Sequence, residues 1–106
     1  MARKKIEQTI KNGAGKPDVI IRQARVHDMR RIQMLYVEVY GGGYSISFVT
    51  DSEKMRRIIE NESSYWMVAE CEGRIIGSLI YSLDISDRIA KAFGAVVSKE
   101  IGRAVV

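Results

Sequence analysis

Residues 67–81 read MVAECEGRIIGSLIY, two apolar runs on either side of the dipeptide Glu72-Gly73. A glycine takes positive φ at no steric cost, so Glu-Gly between two β-forming runs is the place for a two-residue hairpin turn. The spacing predicts antiparallel strands over Tyr65–Cys71 and Arg74–Leu83, closed by that turn. Trp66, with Met67 and Val68, reads as core. Cys71 sits between Glu70 and Glu72, a setting that disfavours a thiolate nucleophile, so it reads as a strand filler.

Upstream of the hairpin, Val19–Ala24 begins with β-branched residues and predicts a short first strand. Asp28 stands where a helix N-cap belongs. After it Met29, Ile32, Leu35, Tyr36 and Val39 recur at helical spacing, with Arg30, Arg31, Gln33 and Glu38 on the other side. This predicts a first helix to Tyr40, ended by Gly41, Gly42 and Gly43. Thr50 and Glu53 form a capping-box pair ahead of Met55, Ile58 and Ile59, which predicts a second, short helix fading at Asn61. Downstream, Ile85–Lys91 reads as a polar loop and Ala92–Val97 as a fourth strand. Strand, helix, helix, strand, strand, strand makes an α+β domain with a largely antiparallel sheet.

Composition sets the outer limits. The 106 residues are 46% hydrophobic and 28% charged, which suits one soluble core. Residues 1–17 carry Arg3, Lys4, Lys5, Lys11 and Lys16 against Glu7, so the whole net charge of +4 falls there, and the remaining basic and acidic side chains cancel. Residues 1–17 therefore read as a basic flexible leader and 18–106 as the domain, with no basic groove in its body; nucleic acid is not an expected partner. One cysteine excludes an internal disulfide and a cysteine-rich metal site, so no metal is expected, and a reducing cytoplasm fits. No apolar run approaches the length of a membrane span, so no membrane partner is expected. GAGKP at 13–17 lacks the earlier glycine and the following hydroxyl of a phosphate loop. His27 has no triad or metal partner and reads as a turn residue.

Three local patterns resemble one family. Ile21-Arg22-Gln23-Ala24 followed by Asp28 and Ile32 is similar to the opening of GNAT N-acetyltransferases. MVAECEGRIIGSLIY is similar to their hairpin of strands two and three. Gly94-Ala95-Val96-Val97 resembles their fourth strand, and the closing IGRAVV the start of the helix after it. The resemblance implies a partial GNAT-like fold of order β-α-α-β-β-β plus the start of a further helix. It also implies acetyl transfer from acetyl-CoA to a small-molecule or protein amine acceptor.

By the same resemblance, the backbones of Val96 and Val97 would pair with the pantetheine amides, and Gly102 and Arg103 would face the pyrophosphate at a helix start. Plain sheet core is the other reading of the two valines. Tyr40 and Tyr44 would border the acceptor pocket, or belong to a loop packed on the sheet. No catalytic residue emerges: the stretch Lys91-Ala92-Phe93 holds no acid where some family members carry a glutamate. The segment Val97-Ser98-Lys99-Glu100 runs directly into Ile101-Gly102-Arg103, so the glycine loop of the family is shortened and its carboxy-terminal half is absent. The alternative expectation is therefore a non-catalytic half-domain that pairs with a partner or dimerises through the open edge of its fourth strand.

Overall fold

A computed structural model describes residues 7–11, 13–42, 47–61, 64–84 and 88–99, without the side chains at 47–48, 83–84 and 89–94. Its elements in chain order are β1 (Glu7–Ile10), β2 (Val19–Gln23), a 3-10 turn (Val26–Asp28), α1 (Met29–Tyr40), α2 (Ser47–Thr50), α3 (Ser52–Glu60), β3 (Ser64–Cys71), β4 (Arg74–Asp84) and β5 (Ile89–Val97). The strands form one antiparallel sheet in sequence order.

The central hairpin forms as the sequence predicts. Glu72 and Gly73 both take positive φ, 51° and 77°, the pair of left-handed residues that matches the twist of two antiparallel strands. The stacked rings of Tyr65 and Tyr81, 5.1 Å between centroids, bridge β3 and β4 further along. α1 stops at Tyr40, where Gly41 turns to φ 83°.

Four expectations shift. Glu7–Ile10, inside the stretch read as a leader, is a strand paired with β2; all four residues are exposed, so no apolar alternation betrays it. The cap of α3 is Asp51, whose carboxylate accepts from the N–H groups of Glu53 and Lys54, where the capping-box reading had Thr50. α2 precedes it as an unforeseen single turn. β5 begins at Ile89, and Ile89–Lys91 pair with Asp84, Leu83 and Ser82 in place of a polar loop. A register shift at Ile80/Tyr81, with Phe93 as the extra residue, bends β5 midway.

The helices cover one face of the sheet, α1 against β4 and β5 and α3 against β3. One cluster joins Ile32, Leu35, Tyr36, Met55 and Ile59 of the helices to Trp66, Val68, Ile80 and Val96 of the strands. Trp66 is fully buried and donates its indole N–H to Ser78 Oγ at 2.7 Å, so the ring's one polar atom is satisfied within the core.

Candidate functional site

Two polar corners flank this core. At the first, β2 delivers Arg22 to the helix-covered face, where a guanidinium is costly unless paired. Asp28 pairs it: Arg22 donates to both carboxylate oxygens at 2.7 and 2.9 Å, and Arg22 also reaches Glu70 on β3 at 3.2 Å. Arg31, one turn into α1, donates to Asp28, to Glu70 at 2.9 Å and to the Gly73 carbonyl at 2.8 Å. The Arg25 N–H gives Asp28 a further bond at 2.8 Å. Asp28 thus precedes α1 as expected, but its side chain does not cap the helix; it is the buried centre of a charged network.

The electrostatics follow. Burial pushes the Asp28 carboxyl up, yet the Arg22 bonds, the Arg25 N–H and the two guanidinium charges outweigh it and hold the group at about 2. Burial also opposes ionisation of Glu70, and Arg22 and Arg31 again prevail, so its carboxyl lies below the usual range. Arg22 is raised in turn, through its bond to Asp28.

The second corner lies where β5 ends. Ser98 is buried; its N–H donates to the Ile76 carbonyl at 2.8 Å and its hydroxyl to Glu38 Oε1 at 3.1 Å. Arg74, at the start of β4, donates to the same carboxylate oxygen, while Oε2 of Glu38 is buried without a hydrogen-bond partner. Glu38 therefore ties the last turns of α1 to the end of β5. A groove of about 420 Å³ runs beside it, between α1 and the β3–β4 turn, lined by Arg31, Met34, Leu35, Glu38, Gly73, Arg74 and Ile75.

The predicted site residues divide around this corner. Val96 is 4% exposed and belongs to the core, whereas Val97 is 58% exposed on the opposite face; each keeps its backbone on the outermost strand. Tyr40 is exposed and stacks on buried Tyr36 at 6.0 Å. It lies two residues past Glu38, so the end of α1 and the end of β5 share one corner. Tyr44, Gly102 and Arg103 lie outside the described residues. Sequence reading missed the contacts of Glu38 with Arg74 and Ser98, which stand 36 and 60 residues from it along the chain. The available signal was an arginine and a serine at the two ends of apolar strands.

Among the described residues no group of His, Cys, Asp or Glu is placed to hold a metal ion, and no helix is long and apolar enough to cross a membrane. No family model matches the sequence, and no curated protein matches it. Among solved structures, the fold is similar to that of a possible acetyltransferase from Clostridium difficile 630, with a TM-score of 0.59 at 18% identity. That match covers 82% of this chain and 65% of the other, so the chain spans about two thirds of the length of the protein it resembles.

Proposed function

We propose that the chain is a partial GNAT-type N-acetyltransferase domain whose complete form moves acetyl from acetyl-CoA to an amine acceptor. The observation that carries this reading is β5: it is the terminal strand of an acetyltransferase-like sheet, bent by a bulge before Val96 and Val97. An edge strand presents backbone N–H and C=O groups in the spacing that an extended, amide-bearing molecule can match. The pantetheine arm of coenzyme A is such a molecule. Val96 would lend only backbone, since its side chain is core; Val97 would lend backbone and an apolar contact. Tyr40, at the same corner, would border the acceptor.

Direct transfer needs a neutral amine and a group to take its proton. No described side chain is assigned that task, and the pyrophosphate cradle expected at Gly102 and Arg103 lies outside the described residues. Cofactor binding is therefore the part of the reading to test first. Titration calorimetry of the chain with acetyl-CoA is expected to show heat, with a matching rise in Tm; the absence of both at millimolar ligand would defeat it. The second reading, a non-catalytic half-domain that meets partners through its open strand edge, draws on the same position of β5.

A further inference from the structure

Val97 is the last residue of β5 and lies opposite Gly77 on β4. In an antiparallel ladder the N–H and C=O of one residue point to the same neighbouring strand, and those of the next residue point away from it. Ser98 donates its N–H to the Ile76 carbonyl on β4 at 2.8 Å, so the N–H and C=O of Val97 point to the outer side of β5. Among the described residues no strand meets them there.

The contact that holds this end of the strand is polar. Val96 and Ser98 both face the helices, 4% and 1% exposed, with Val97 turned the other way. An apolar side chain would fill the Ser98 position without a partner, whereas a buried hydroxyl needs an acceptor. It finds Glu38 Oε1 at 3.1 Å, and Arg74, three residues before Gly77, donates to the same oxygen. Apolar packing is non-directional and tolerates rotation or slip; a hydrogen bond weakens steeply off its axis. The bond to Glu38 therefore fixes how β5 is turned at its end. The register shift at Ile80/Tyr81 bounds the same short run, Gly94–Val97, at its start.

We propose that Ser98 and Glu38 are positioning residues for the coenzyme: they need not touch it, but they aim the Val97 N–H and C=O along the line that an amide-bearing arm follows. The inference rests on the acetyl-CoA reading of β5. Groups already aimed spare the complex the cost of ordering them, so loss of the bond should show as lost affinity and not only as lost stability.

Ser98→Ala removes the hydroxyl and leaves Glu38 with Arg74. Calorimetry with acetyl-CoA, well below the Tm of each chain, is expected to give a dissociation constant about tenfold above that of wild type. NMR relaxation of the ligand-free variant should show a lower order parameter at the Val97 amide. Glu38→Gln, which keeps an oxygen acceptor for Ser98, should lose less affinity than Glu38→Ala. A purely structural role gives a lower Tm in Ser98→Ala with the dissociation constant and the Val97 order parameter at their wild-type values; either one staying there overturns the proposal. If wild type itself takes up no acetyl-CoA, the functional reading falls and the coenzyme role with it. If wild type binds and Ser98→Ala binds as tightly, only this inference falls.

Discussion

The junction of β2 with α1 and the end of β5 use the same chemistry, carboxylate against guanidinium, to different depths. Asp28 is wholly buried and takes bonds from Arg22, Arg31 and the Arg25 N–H, with Glu70 shared as a second acceptor. Glu38 is 26% exposed in its side chain, takes Arg74 and Ser98 on one oxygen and leaves the other without a hydrogen-bond partner. The first corner fixes the crossing of β2, β3 and α1 from several directions. The second fixes β5 from one side only, and among the described residues no strand pairs with its outer side.

The sharpest way to break this contrast is to remove one acid from each corner. Asp28→Ala takes from the buried Arg22 guanidinium its closest carboxylate, leaving it one carboxylate contact, that with Glu70 at 3.2 Å, and should cost about 3 kcal/mol, enough to unfold a marginal domain; urea denaturation measures it. A smaller loss than that of Glu38→Ala would invert the comparison. Acid should discriminate next. Because the Asp28 carboxyl is depressed from 3.8 to about 2 in the folded chain, its contribution is complete above the unfolded value. It disappears as pH falls from about 4 to about 2, an effect of about 2 kcal/mol. The depressed Glu70 adds to it with the same sign. Thermal melts between pH 5 and 2 should show the fall in wild type, with a smaller fall in the Asp28→Asn variant, where Glu70 alone still titrates against Arg22 and Arg31.

The outer corner should answer more mildly. Glu38→Ala deprives the buried Ser98 hydroxyl of its acceptor and should cost about 1–2 kcal/mol. Faster hydrogen exchange is expected at the Ser98 amide, with no change at Ala24, whose N–H bonds the Trp66 carbonyl at 2.7 Å. Smallest of all, Val97→Thr changes an exposed side chain and should move stability by less than about 0.5 kcal/mol. If it instead destabilises the monomer at low concentration as much as Glu38→Ala does, the openness of this corner is wrong.

Local patterns revealed the scaffold better than its corners. The Glu72-Gly73 turn, the extent of α1 and the core role of Trp66 each follow from contacts near in sequence or from one strong periodicity. Asp28 shows the limit: its position before a helix was legible, but its partners are fixed by Arg22 on β2 and, through Arg22 and Arg31, by Glu70 on β3. Pairing across 48 residues leaves no local mark. β1 escaped notice because an exposed edge strand needs backbone pairing and little apolar alternation. The candidate site was legible only through family resemblance. Its strand is present, Val96 sits in the core as the structural reading allowed, and Tyr44, Gly102 and Arg103 fall outside the described residues.

β1 and β5 form opposite margins of the sheet, four strand spacings or about 19 Å apart. Since the surplus positive residues are covalently attached around β1 and the remainder is neutral, the centre of charge is displaced from the centre of mass, giving the molecule a permanent dipole. Near any anionic surface, such as a cation-exchange resin or a mica support, it should turn its β1 margin inward. Adsorption would then orient the molecule with β5 presented to the liquid, as immobilised binding measurements on that strand require.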